Sequence, residues 1–146
     1  MEPKTILIAY TDDLWAGSVS SFFQAGGYKV EMTRALSEMI RRVRNGRAQV
    51  ILLDDELEGV KAYDVVPLLK RITMKIPVIA VSSQDSLDGA RRLRSPGIFY
   101  QAMKPIDLEE IGSAVECAFE KIKRESLKEE LFAFLMPGSI PAFNTT

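Results

Sequence analysis

Three short apolar segments place the strongest constraint on how this chain folds. They are residues 49–54 (QVILLD), 76–82 (IPVIAVS) and 97–105 (GIFYQAMKP). Short apolar runs bounded by polar residues, Gly or Pro are typical of strands that are buried on both faces of a parallel sheet. In an open parallel sheet the C-terminal ends of the strands lie at one edge, where ligands bind. We therefore expect Asp54, Ser82 and Lys104, at the ends of these segments, to meet in one cleft.

Segments with helical spacing separate the strand-like runs. Further strands are predicted at 5–9 and 28–32, and helices at 14–25, at 34–45, from Asp64, at about 86–94 and from Asp107. With Asp64 as the N-cap, Pro67 lies in the first turn, where it breaks no helical hydrogen bond. Five strands and five helices in strict alternation predict an α/β fold, a doubly wound five-stranded parallel sheet flanked by five helices (flavodoxin-like).

The last helix continues beyond the part of the chain that this alternation uses. We predict a single domain over residues 4–122, a C-terminal helical extension over 123–136 and a flexible tail over 137–146. The extension carries apolar residues at helical spacing, namely Leu127, Leu131, Phe134 and Leu135. These residues need a partner surface, which is the domain itself, a second chain or another protein.

Composition excludes several classes of function. The 146 residues contain no histidine and one cysteine, Cys117, which rules out an internal disulfide and Ser-His-Asp or Cys-His catalysis. The formal net charge of -1 provides no overall positive field for nucleic acid. No apolar run approaches the roughly 20 residues of a membrane span. We expect a cytoplasmic protein that binds neither nucleic acid nor membrane, with Cys117 in its core.

Five segments in this order carry a family resemblance. KTILIA (4–9), GGYKV (26–30), VILLD (50–54), IPVIAVSS (76–83) and MKPIDLEE (103–110) resemble the CheY-like receiver domain of two-component response regulators. The resemblance covers residues 4–122. It implies that Asp54 accepts a phosphoryl group, that Ser82 hydrogen-bonds a phosphoryl oxygen and that Lys104 contacts the phosphate. It also implies a cis peptide bond before Pro105.

The sequence departs from the family pattern where the family binds Mg²⁺. The acidic pair that ends the family's first strand falls here on Tyr10 and Thr11. The resemblance leaves as metal ligands Asp54, the backbone carbonyl of Glu56 and, weakly, Asp12. The other interpretation of Asp12 is a carboxylate that caps the following helix. We therefore expect a degenerate Mg²⁺ site.

Four more residues near the expected site bear on its function: Gln101, Glu58, Asp55 and Trp15. Gln101 takes the place of the aromatic switch residue, and a buried amide would need hydrogen-bond partners. Glu58 takes the place of a proline that usually follows the phospho-acceptor. We expect Asp55 to be directed away from the metal, and Trp15, the only tryptophan, to lie near the mouth of the site.

Two functions follow from the resemblance. The first is a single-domain response regulator that accepts a phosphoryl group on Asp54 from a histidine kinase or phosphotransfer protein. The alternative is a pseudo-receiver, an interaction module independent of phosphorylation, in which Lys104 pairs permanently with Asp54. Either would act through contact with a downstream protein, through the face between the helix at 86–94 and the last helix. We expect no enzyme activity beyond self-phosphorylation and dephosphorylation, and a possible homodimer through the last helix.

Overall fold

A computed structural model describes residues 3–83 and 97–136. In chain order the elements are β1 (Thr5–Ala9), α1 (Asp13–Ala25), β2 (Lys29–Thr33), α2 (Leu36–Arg44), β3 (Val50–Leu53), β4 (Glu56–Leu57), β5 (Val60–Lys61), α3 (Ala62–Ile72), β6 (Val78–Ser82), β7 (Tyr100–Met103) and α4 (Leu108–Leu135). The main sheet is parallel, with strand order β2-β1-β3-β6-β7. The predicted fold class is confirmed. The helix predicted at 86–94 and the tail predicted at 137–146 lie outside the described residues.

Alternating side chains of the buried strands build one core on each face of this sheet. From β1, Leu7 and Ala9 pack with α2 and α3, while Ile6 and Ile8 pack with α1 and α4. All five residues of β1 are buried, as expected for a strand covered by helices on both faces. The loops at the C-terminal edge of the sheet therefore start from strands that are packed on both faces.

The segment after β3 differs from the prediction. Residues 56–61 form a small antiparallel hairpin, with Glu56 opposite Lys61, and α3 begins directly after it at Ala62. Asp64 was predicted as the N-cap, but it lies in the first turn, and Pro67 lies inside the helix. That prediction is wrong because the hairpin ends at Lys61 and α3 begins at the next residue, two residues before Asp64. The amide of Ala62 donates to the carbonyl of Asp55 at 2.8 Å and fixes where the helix starts.

The C-terminal helix α4 is capped by Asp107, whose carboxylate accepts from the amides of Glu109 and Glu110. Its buried residues are Ile111, Ala114, Val115, Ala118 and Phe119. Cys117 was expected in the core, but it is exposed because it lies on the outer side of this helix. The division at residue 122 stays a prediction. Within the described residues, no helix is both long and apolar enough to cross a membrane.

Candidate functional site

The C-terminal edge of the sheet brings the predicted site residues together. Asp54 follows β3, Ser82 ends β6 and Lys104 follows β7. The backbone amide of Lys104 donates to the carbonyl of Ser82 at 2.7 Å, so the two strand ends are joined directly. The ammonium of Lys104 lies 2.9 Å from Oδ1 of Asp54. The peptide bond between Lys104 and Pro105 is cis, as the resemblance implies.

Asp54 is almost completely enclosed, with 2% of its surface exposed. Its Oδ2 accepts three hydrogen bonds, from the backbone amides of Thr11 (2.8 Å) and Asp12 (3.0 Å) and from the indole N–H of Trp15 (3.0 Å). Its Oδ1 accepts from Lys104 and from the amide of Asp55 at 2.8 Å. A carboxylate offers about four lone-pair positions, so these donors occupy its acceptor capacity. We call this arrangement the closed site.

The closed site stabilises the charged form of Asp54. Burial alone would raise the pKa of this carboxyl, but hydrogen bonds from the Thr11 and Asp12 amides, from Lys104 and from Trp15 outweigh burial and hold the pKa below its usual value. Lys104 behaves in the complementary way. Burial lowers its pKa, but the hydrogen bond and charge of Asp54, with the charges of Asp55 and Asp12, raise the pKa above the ordinary lysine value. An ion pair is therefore present at neutral pH.

Trp15 contributes more to the site than its sequence position suggested. It was expected near the mouth, but it is 6% exposed and its ring packs in the core between the sheet, α1 and α4. Its indole N–H is aimed at Oδ2 of Asp54. A buried indole needs an acceptor, and Asp54 provides one. The available signal was a lone tryptophan in the first turn of the helix after β1, next to the strand that ends at Asp54.

The residues that the resemblance assigned to Mg²⁺ are engaged in other bonds. The hydroxyl of Thr11 donates to the carbonyl oxygen of Glu56 at 2.7 Å. Oδ1 of Asp12 accepts from the amide of Leu14, so Asp12 caps α1, and its Oδ2 lies 3.8 Å from Nζ of Lys104. In residues 3–83 and 97–136, no group of three or more acidic, Cys or His side chains is placed to hold a metal. Mg²⁺ requires octahedral oxygen ligands, and this arrangement does not fit it.

Asp55 lies within the cluster around Lys104. Both of its carboxylate oxygens accept from the amide of Ser83, at 3.1 and 3.0 Å, and Oδ2 lies 3.8 Å from Nζ of Lys104. The expectation that Asp55 is directed away from the metal stays a prediction, and its carboxylate lies against the end of β6. Lys104 is surrounded by three carboxylates, which compensate its charge.

Tyr10 and Arg34 form one rim of the site. The guanidinium of Arg34 lies 4.8 Å from the centre of the Tyr10 ring and pairs with the carboxylate of Asp13. It also donates to the carbonyl of Thr11 at 3.3 Å. The place of one family acid is thus taken by an aromatic ring that is covered by a cation.

Two further contacts connect the site to its surroundings. The carboxylate of Glu58, at the turn of the hairpin, accepts from the amide of Leu36 and caps α2, which has no side-chain cap from its own N-cap residue. Glu58 has a φ of 51°, in the left-handed region. On the other side, the amide of Gln101 donates to the hydroxyl of Ser82 at 3.4 Å. Gln101 therefore contacts the site through a polar bond.

Comparison with known proteins identifies a family over most of the chain. The family model described as "Response regulator receiver domain" matches residues 6–116. This match runs from the second residue of β1 into α4 and includes the residues of the closed site.

Individual relatives agree with this match. The DNA-binding transcriptional regulator NtrC of Azospirillum brasilense is 30% identical over 81% of this chain, which spans only 24% of that protein. The polar-differentiation response regulator DivK of Brucella anthropi is 30% identical over 73% of this chain and 88% of its own length. Among solved structures, the beryllofluoride-activated NtrC4 receiver domain dimer has a TM-score of 0.74 and 21% identity, covering 81% of this chain and 98% of that one.

Proposed function

We propose that this chain, which belongs to the response regulator receiver domain family, signals by protein contact without phosphoryl transfer to Asp54. Receiver domains act in phosphorelay signalling and interact with histidine kinases or phosphotransfer proteins. They generally bind Mg²⁺ at an acidic site. The proposal is a pseudo-receiver, an interaction module with the receiver fold that acts independently of phosphorylation.

The observation that carries this proposal is the closed site. Asp54 already accepts hydrogen bonds on both oxygens, and the carbonyl of Glu56 already accepts the hydroxyl of Thr11. Attack on phosphorus requires an accessible carboxylate oxygen and neutralisation of the negative oxygens around it. In this site the first requirement means removing donors from Asp54. For the second requirement, the cation ligands that the resemblance assigns are Asp54, Asp12 and the carbonyl of Glu56, and each of them already accepts a hydrogen bond.

A phospho-acceptor role for Asp54 is the second candidate. It is favoured by the convergence of Asp54, Ser82 and Lys104 at one edge of the sheet and by the cis bond before Pro105. On this alternative, the donors on Oδ2 would have to exchange for Mg²⁺ before transfer. The only chemistry expected would be self-phosphorylation and dephosphorylation of Asp54.

Intact-mass measurement distinguishes the two candidates. The chain is incubated with acetyl phosphate and Mg²⁺, and separately with candidate histidine kinases and phosphotransfer proteins, beside Asp54→Asn as the control. The pseudo-receiver proposal predicts no phosphoryl adduct on the wild-type chain under any of these conditions. An adduct on the wild type that is missing in Asp54→Asn establishes the phospho-acceptor role and refutes the proposal.

We also propose that the extension of α4 pairs with a second copy of this chain. Leu127, Leu131 and Phe134 are 53%, 59% and 81% exposed. At about 100° per residue they lie on the side of the helix roughly opposite to Ile111 and Val115, which pack on the domain. Within the described residues, the domain packs on the other side of this helix and leaves the stripe exposed. The NtrC4 receiver domain, which shares the fold, is a dimer in its solved structure.

Light scattering after size exclusion tests this dimer. The wild type is expected to show twice the monomer mass, and Leu131→Lys to shift the mass to that of the monomer. Ser126→Lys places the same charge on another exposed position of the helix and is expected to leave the dimer intact. A wild-type monomer at all concentrations tested would refute the dimer. The face that includes residues 86–94, predicted to bind a downstream protein, lies partly outside the described residues and stays a prediction.

A further inference from the structure

We propose that the side chains of Trp15 and Thr11 exclude a divalent cation from the Asp54 site, each by donating to an oxygen that the cation would need as a ligand. This inference rests on the proposed function, because it identifies the residues that make the site independent of phosphoryl transfer. Both are positioning residues, since they act through Asp54 and Glu56.

The contact of Trp15 is the first part of this assignment. The indole N–H lies 3.0 Å from Oδ2 of Asp54, and Trp15 is 6% exposed within a packed core. A cation bound to Oδ2 would leave the indole N–H without its acceptor. The bound cation would also lie against the positive end of the indole N–H dipole. Since the packed ring cannot turn away, cation binding and this hydrogen bond compete for one oxygen.

The contact of Thr11 is the second part. Its hydroxyl lies 2.7 Å from the carbonyl oxygen of Glu56, and its backbone amide lies 2.8 Å from Oδ2 of Asp54. Thr11 therefore joins the end of β1 to the two oxygens that the resemblance assigns to the metal. A hydroxyl there provides a donor without negative charge. The carbonyl of Glu56 thus already accepts one hydrogen bond from a neutral group.

Positive charge at the site is already supplied by the chain. Nζ of Lys104 lies 2.9 Å from Asp54 and 3.8 Å from both Asp12 and Asp55. Arg34 covers Tyr10 and pairs with Asp13 at the rim. These two fixed cations offset part of the negative charge of the four carboxylates, and so supply part of the compensation that a divalent ion would otherwise provide. Removing a side-chain donor at Trp15 or Thr11 should therefore be necessary before an ion can compete.

Substitution at these two positions tests the inference. Thr11→Asp replaces the hydroxyl donor with a carboxylate beside the Glu56 carbonyl, and Trp15→Phe removes the indole N–H while keeping an aromatic ring. The melting temperature of each variant, of the double variant and of the wild type is measured at increasing Mg²⁺ and in EDTA, with ionic strength held constant. Ligand binding to the native state raises the melting temperature in a saturable way.

The wild type is expected to show no saturable Mg²⁺-dependent rise. Thr11→Asp is expected to show one, and adding Trp15→Phe to it should strengthen the apparent affinity by about tenfold or more, the order expected for a hydrogen bond to a carboxylate. Trp15→Phe alone should also bind more tightly than the wild type. The matched control is Thr73→Asp, which adds the same charge at the end of α3, at the opposite edge of the sheet.

Each outcome bears on one of the two claims. Saturable binding by the wild type overturns the inference, and so does the lack of any gain in both Thr11→Asp and Trp15→Phe. If Thr11→Asp is unfolded in EDTA, its refolding on addition of Mg²⁺ supports the inference. If it does not refold and Trp15→Phe gains no Mg²⁺ affinity, the inference is contradicted. A wild-type phosphoryl adduct without a cation response refutes the proposed function alone. Variants that gain no cation affinity, beside a wild type without adduct, refute the inference alone.

Discussion

Replacement of Asp54 by Asn should destabilise the domain, and the sign of this change separates a closed site from a working acidic one. In a site that clusters unpaired carboxylates for chemistry, removing one charge relieves repulsion, and stability rises at the expense of function. Here Asp54 is 2% exposed, accepts bonds on both oxygens and pairs with Lys104. In this site, Asp54→Asn therefore removes the electrostatic attraction between Asp54 and Lys104.

The size of the effect follows from the bonds that Asn cannot keep. Its amide group can best take the place of Oδ1, because Oδ2 faces three donors. The amide of Asp55 and the ammonium of Lys104 then lose their acceptor. An unsatisfied buried donor costs about 1–3 kcal/mol. Lys104 recovers part of this loss from the carboxylates 3.8 Å away, so we expect the free energy of unfolding to fall by about 2–4 kcal/mol.

Urea denaturation followed by circular dichroism measures this difference. For a slope of about 1–3 kcal/mol per molar urea, the midpoint should decrease by about 1 M or more. Asp64→Asn is the matched control, because Asp64 is an exposed acid in the first turn of α3 and its loss should cost less than about 1 kcal/mol. If Asp54→Asn is as stable as the wild type, or more stable, the closed site does not stabilise the fold and the reasoning is refuted.

The remaining predictions concern pH and the hairpin. Hydrogen bonds keep the folded-state pKa of Asp54 below its usual value despite burial. The stability advantage of the wild type over Asp54→Asn should therefore be complete above the ordinary carboxyl pKa of about 4 and be lost as the pH falls below it. Urea denaturation at a series of pH values measures this difference. Because the charges around Lys104 raise its pKa although burial opposes this, its contribution relative to Lys104→Met should persist at neutral pH and be lost only above about pH 10.4. Glu58→Ala removes the carboxylate that accepts from the amide of Leu36, so we expect it to lower the free energy of unfolding, measured by thermal denaturation, by about 1 kcal/mol. Glu58→Gly removes the same carboxylate but relieves the strain of the positive φ, so its loss of stability should be smaller. Equal losses in the two variants would count against backbone strain at Glu58.

The parts of the structure that the sequence predicted depend on local patterns. Apolar runs, helical spacing and strand direction are readable over a few residues. They were sufficient for the fold and for the meeting of Asp54, Ser82 and Lys104 at one edge. The capping interpretation of Asp12 is confirmed for the same reason, since a carboxylate two residues before the amide of Leu14, which donates to it, is a local feature.

The parts that were missed depend on how elements pack. The rotation of α1 against β3 determines that the Trp15 indole reaches Asp54, and no sequence spacing encodes that rotation. The hairpin at 56–61 has strands of two residues, which are too short to show a period. In the turn of this hairpin, Glu58 and Gly59 both have a positive φ. Glycine commonly adopts this conformation but glutamate rarely does, so the sequence gave no indication of it at Glu58. The early hairpin then moved the start of α3 away from Asp64.

The central claim, that the Asp54 site is closed to a divalent cation, is tested most directly by Mg²⁺ titration of the wild-type chain monitored through Trp15 emission. The indole N–H is bonded to the carboxylate that a cation would bind, so a bound ion would change the emission. The closed site predicts no saturable change at constant ionic strength. Saturable quenching that is lost in Asp54→Asn would contradict it.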